Sequence, residues 1–83
     1  ILLNPEEPVY YAEMASLCLR VKRNEDAEQA ALRCTEIATD YADGFLLLGI
    51  ARQELGKPEE ARKALLRAKE LGDKRADEYL KKK

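Results

Sequence analysis

Ala61, Ala64, Leu65, Ala68 and Leu71 stand at i, i+3, i+4, i+7 and i+10. That spacing predicts one apolar stripe along an α-helix. Arg62, Lys63, Arg67, Lys69 and Glu70 fill its other side. Just upstream, Phe45, Leu48, Gly49 and Leu55 make a second stripe, with Leu46, Leu47 and Ile50 also apolar. A helix apolar on more than one face is buried on several sides or shows apolar surface to a neighbour. Gly56-Lys57-Pro58 separates the two. Gly56 suits the left-handed residue past a helix end, and Pro58 the first turn of the next helix. Glu59 and Glu60 then meet the positive end of the helix dipole.

The rest of the chain has the same grammar. Ile1-Leu2-Leu3-Asn4-Pro5 reads as the end of a helix, and Glu6-Glu7-Pro8 as a short connection. Tyr11, Met14, Ala15, Cys18 and Val21 form the next stripe. Lys22-Arg23-Asn24 breaks it, with Asn24 a natural cap for the helix that follows. Ala27, Ala30, Ala31, Cys34 and Ile37 form the stripe of that helix, which Thr39-Asp40 ends. Gly72 is a second stop signal, Asp73 a cap, and residues 74–82 one last short helix with Ala76, Tyr79 and Leu80. No stretch alternates with period two over strand length. The pattern predicts an all-α antiparallel stack.

The chain superimposes on itself when Tyr11 is laid on Phe45 and Phe45 on Tyr79. The same shift carries Leu3 onto Ile37 and Ile37 onto Leu71. Ala27 matches Ala61, Ala30 matches Ala64, Cys34 matches Ala68, and Met14-Ala15 matches Leu48-Gly49. Helix–turn–helix units repeating every 34 residues or about that are the signature of tetratricopeptide repeats. The chain resembles that family over nearly its full length. Phe45 stands where the family usually has Trp, Leu48-Gly49 match its Leu-Gly pair, and Gly56 matches its turn glycine. Ala61 and Ala68 match its two small packing residues, while Leu65 replaces an aromatic.

The resemblance implies antiparallel helix-turn-helix repeats stacked as a right-handed superhelix. It divides the chain into the end of a preceding unit (1–7), a first unit (8–41), a second unit (42–73) and a C-terminal capping helix (74–83). It implies a scaffold for protein–protein interaction, with a partner peptide or helix lying on the concave face. With Tyr11 and Phe45 pointing into the stack, Ala12, Ser16, Leu19 and Arg20 turn to that face from the first unit. Leu46, Ile50, Gln53 and Glu54 follow from the second, and Leu80 from the last helix. Leu19, Leu46, Ile50 and Leu80 then make an apolar strip edged by Arg20, Gln53 and Glu54. The bland alternative is that a neighbouring unit or the last helix covers the strip. A rival role is self-assembly, with the groove buried by a second copy as a homodimer. One well-known groove of the family is a clamp of Lys, Asn and Arg that grips a C-terminal carboxylate. Ala12, Ser16 and Leu47 stand at the matching places, so the chain lacks that clamp.

Composition narrows the chemistry. The 83 residues make at most one domain, and the net charge of −1 argues against bulk electrostatic binding to nucleic acid or a membrane. No apolar run approaches the roughly 18–20 residues of a membrane span. The charge is uneven: residues 1–41 hold 4 basic and 8 acidic side chains, residues 42–83 hold 11 and 8. There is no His. Ser16 is the only Ser and has no base within reach by sequence, and the four glycines form no phosphate loop. These features point away from an enzyme, a metal and a cofactor. Lys81-Lys82-Lys83 read as a solvated terminus.

Antiparallel pairing about Lys22-Arg23 sets Cys18 opposite Ala27. Cys34 is then offset by roughly 9–10 Å along the axis. A disulfide needs Cα atoms within about 7 Å. Two small, buried, unpaired thiols are expected, which fits a reducing, cytoplasmic compartment.

Overall fold

The computed structural model describes residues 7–81. The expected end of a preceding unit therefore lies almost wholly outside the described residues, as do Lys82 and Lys83. Five helices follow in order: α1 (Pro8–Arg20), α2 (Asn24–Ile37), α3 (Ala42–Glu54), α4 (Pro58–Glu70) and α5 (Arg75–Leu80). The sequence period is realised in space. α3 begins one full repeat after α1, and α4 one full repeat after α2. Neighbours pack as α1 on α2, α2 on α3, α3 on α4 and α4 on α5, and α3 also touches α1 and α5 along one side.

Three of the four turns close identically. Arg23, Lys57 and Asp73 donate their backbone N–H to the carbonyls of Cys18, Arg52 and Ala68 at 2.8, 2.8 and 3.0 Å. One residue earlier, Lys22, Gly56 and Gly72 donate to Leu19, Gln53 and Lys69. These paired bonds are the Schellman closure, which needs a left-handed residue just past the cap. Gly56 and Gly72 supply it at φ 76° and 101°. In the first unit Lys22 takes the same conformation at φ 64° despite its side chain. Pro8 and Pro58 open their helices as expected. Asn24 does not cap α2: Arg23 holds that position, and Asn24 is already in the first turn, where Pro58 stands in α4. The Asp73 carboxylate does engage the start of α5, accepting the Arg75 N–H at 3.0 Å.

The core is built largely from alanine. Ala15, Ala30, Ala31, Leu48 and Ala64 form one buried cluster. Leu46, Leu65, Ala68 and Ala76 form another, with Phe45, Ile50, Tyr79 and Leu80 packed against it. Small side chains let the helix axes approach, so little apolar volume fills each layer. Leu65 is fully buried and lies over Gly49, where an added Cβ would sit 2.6 Å from its Cγ. In the first unit the matching pair is Ala15 and Ala31. The bulk removed from one helix has been given to the other. Phe45, expected deep in the stack, is only half-buried, with the Arg67 guanidinium 5.8 Å from its ring centroid.

An ion cluster around the buried Glu28 joins the units. Glu28 of α2 accepts hydrogen bonds from Arg52 Nε of α3 at 3.1 Å and from Lys57 Nζ at 3.1 Å. Burial alone pushes the Glu28 carboxyl up, but the bonds from Lys57 and Arg52 outweigh it and hold it below its ordinary value. Cys34 ties α2 back to α1, donating from Sγ to the Pro8 carbonyl at 3.2 Å. Both cysteines are unpaired. Cys34 is buried as expected, whereas Cys18 is only partly buried; its counterpart one repeat later, Arg52, faces Glu28 of α2, and no described helix covers that face of α1.

Candidate functional site

α1, α3 and α5 stand side by side and leave two depressions between them. Ser16, Arg20, Leu46, Leu47 and Arg75 line both, so the two are one continuous groove. Helical period explains who faces it. On α1 the lining residues are Val9, Ala12, Glu13, Ser16, Leu19 and Arg20, spaced by three and four. On α3 they are Asp43, Leu46, Leu47 and Ile50, on α5 Glu78 and Tyr79, with Tyr41 from the preceding loop.

Six of the nine residues expected on the concave face meet here: Ala12, Ser16, Leu19, Arg20, Leu46 and Ile50. Two of these form floor and not open surface, since Leu46 is 3% and Ala12 5% exposed. Gln53, Glu54 and Leu80 line a different depression, beside Gly56, Pro58, Glu59, Arg62 and Leu65. The reason is α5. Gln53 Nε2 donates to the Tyr79 carbonyl at 3.0 Å, and Leu80 and Ile50 both pack against the Leu46–Leu65 cluster. The last helix thus divides the apolar strip into two.

Val9, Glu13, Tyr41, Asp43, Arg75, Glu78 and Tyr79 complete the groove and were missed, while Leu47, expected only as the place of an absent clamp residue, lines both halves. The repeat register pairs Leu47 with Glu13, so that signal was present in the sequence. Arg75 comes from the very start of α5, and no helical stripe points to it.

Charge is arranged along the groove. Arg75 forks onto Asp73 through Nε and Nη2 at 3.0 and 2.8 Å, and Nη2 also reaches Asp43. The Arg75 hydrogen bond outweighs burial and holds the Asp73 carboxyl below its ordinary range. The same pairing, chiefly with Asp73, pushes the guanidinium up. Tyr41 is pushed up by burial first, then by Asp43, Cys34 and Glu13. Glu13 and Asp43 therefore share one end of the groove with the Tyr41 phenol. Arg20 forms no ion pair among the described residues.

A second surface is apolar and lies at the other side of α1. Met14, Leu17 and Val21 are 40%, 52% and 56% exposed, bordering Tyr11, Cys18 and Ala30. The counterparts of Met14 and Leu17 one repeat later, Leu48 and Ala51, are 3% and 0% exposed. Leu48 is covered by Ala30 and Ala31 of α2. The α1 face is thus the surface on which a helix like α2 sits in the second unit.

Nothing in the groove resembles a nucleophile–base pair. Ser16 has no histidine to activate it anywhere in the chain. Among the described residues no three His, Cys, Asp or Glu side chains are grouped to hold a metal ion. No helix among them is long and apolar enough to cross a membrane.

No family model matches the chain. It is 36% identical over 61 residues to a TPR repeat-containing thioredoxin, TDX, of Arabidopsis thaliana. That match covers 74% of this chain and 16% of the relative, so the chain spans about a sixth of that protein. Among solved structures it is similar to the first TPR of Spaghetti (RPAP3) bound to the HSP90 peptide SRMEEVD. The TM-score is 0.87 at 30% identity, covering 93% of this chain and 63% of the other.

Proposed function

We infer that this chain, which belongs to the tetratricopeptide repeat family, is a non-catalytic scaffold that holds a partner peptide in the groove between α1, α3 and α5. The observation that carries the reading is the continuity of that groove. Five residues from three helices line both of its halves, and its floor is apolar while its rim is charged. An apolar floor supplies affinity, and the polar rim supplies orientation. The solved neighbour that this chain resembles across 93% of its length is itself a peptide-bound repeat domain.

The test is amide chemical-shift mapping of the whole chain against a panel of short peptides. Shifts clustered at Ser16, Leu47, Ile50 and Tyr79 are expected. Shifts confined to Met14, Leu17 and Val21 would place binding on the other face and refute the groove.

A second reading has its own observation. The exposed Met14–Leu17–Val21 patch favours a helix packed against it, and a second copy is the self-assembly form of that idea. Sedimentation velocity across a hundredfold concentration range separates the two. A constant monomer mass eliminates self-assembly. A concentration-dependent mass that Leu17→Lys returns to monomer supports it.

A further inference from the structure

We propose, resting on the groove reading above, that the groove selects a basic–apolar peptide and turns away acidic tails. The argument is charge complementarity. Glu13, Asp43 and Glu78 line the groove against Arg20 and Arg75. Arg75 bridges Asp43 and Asp73, so two carboxylates share one guanidinium and leave one negative charge over. The α1–α3 end is therefore negative, and the Tyr41 phenol there already responds to both Asp43 and Glu13. Glu13 forms no ion pair among the described residues and is exposed to an incoming cation. Tyr41 lines the same end, where its aromatic ring can pack against a lysine or arginine side chain.

Beyond that end the floor turns apolar. Ala12, Leu46 and Leu47 line it together with Glu13 and Arg20. Glu13 and Arg20 are two helical turns apart, about 10 Å along α1. An extended peptide covers that distance in about three residues. The fitting segment is thus a lysine or arginine followed by two or three apolar residues. Arg20 lines both halves and offsets one carboxylate, which leaves the groove net negative, with Glu13 the exposed acidic group at its α1–α3 end. Leu47 offers an acidic side chain no hydrogen bond, which leaves a buried carboxylate there uncompensated.

The probes are three fluorescein-labelled peptides: capped KLLKALA, its capped counterpart ELLEALA, and SRMEEVD with a free C-terminus. Anisotropy titration of the full chain at low ionic strength is expected to rank KLLKALA about tenfold or more ahead of either acidic peptide. The gap should shrink as salt is raised. Glu13→Lys, an exposed position, should erase the preference, and Arg20→Glu should widen it. Equal or tighter binding of ELLEALA or SRMEEVD overturns the charge preference while leaving the groove reading standing. Failure of all three to bind, with circular dichroism showing a folded chain, overturns both. A preference for KLLKALA that Glu13→Lys does not change refutes the site assigned to it.

Discussion

Gly49→Ala gives the sharpest test of the packing argument. The new methyl would sit 2.6 and 2.7 Å from Leu65 Cγ and Cδ2 and 3.2 Å from the Ala61 carbonyl oxygen. Leu65 is fully buried and has nowhere to retreat. Overpacking of this kind costs about 1–3 kcal/mol, offset by about 1 kcal/mol of better helix propensity. A net loss of about 0–2 kcal/mol follows, the upper end applying where Leu65 does not move. Leu65→Ala alone opens a cavity and should cost about 2–5 kcal/mol. The double variant recreates the Ala15–Ala31 pair that the first unit already uses. There the new methyl at position 49 is freed from the Leu65 side chain, so its effect should reverse to neutral or about 1 kcal/mol stabilising. Urea unfolding followed by circular dichroism measures the four corners of the cycle. In a domain of this size each kcal/mol also moves Tm by about 4–8 °C. If Leu65→Ala leaves too little folded protein, Leu65→Val serves as the milder partner. Equal destabilisation by Gly49→Ala in both backgrounds would show that Gly49 is not small on account of Leu65.

Other consequences are independent of that cycle. Glu28→Ala leaves Arg52 and Lys57 facing each other without their shared carboxylate, at a cost of about 2 kcal/mol. Because the folded Glu28 titrates below its ordinary value, its contribution is complete above about pH 4.3 and fades as pH falls through the folded value. The wild type should therefore lose its advantage over Glu28→Ala in acid, and a gap in Tm that stays unchanged in strong acid would contradict this. Burial, then Asp43, pushes the Cys34 thiol up to about 11. The unfolded thiol ionises at about 8.5, so its contribution is intact below that pH and is lost between there and about 11. Cys34→Ala, matching Ala68 of the second unit, should flatten that alkaline slope, and iodoacetamide should label half-exposed Cys18 well before Cys34. Equal labelling rates under native conditions would refute the burial of Cys34. Lys22→Gly relieves a left-handed side chain and should raise stability by about 1 kcal/mol, whereas Gly56→Ala should lower it by a similar amount. A Tm that falls with Lys22→Gly, or that does not fall with Gly56→Ala, would mean that the Lys22 turn is not the counterpart of the Gly56 turn.

Local rules were enough for much of this molecule. Five helices, their proline starts and the glycine stops at Gly56 and Gly72 follow from periodicity and backbone chemistry, which act within a few residues. The repeat register, read from Tyr11, Phe45 and Tyr79, established that the units stack, since no single unit buries its stripe alone. It also placed Ala12, Ser16, Leu19, Arg20 and Ile50 on one side, because a helix carries its faces at fixed angles. Other features depended on how the helices met. Asn24 looks like a cap, but the Schellman turn at Lys22 delivers the chain one residue earlier. Leu46 looks like exposed strip, but α5 brings Ala76 onto it, and Gln53 is drawn off to the Tyr79 carbonyl. Arg75 enters the groove because Asp43 and Asp73, from opposite ends of the second unit, converge on its guanidinium. Periodicity assigns a residue to a face of its own helix; which neighbour covers that face, and which charges meet across it, is set by the distances and angles of the packed helices.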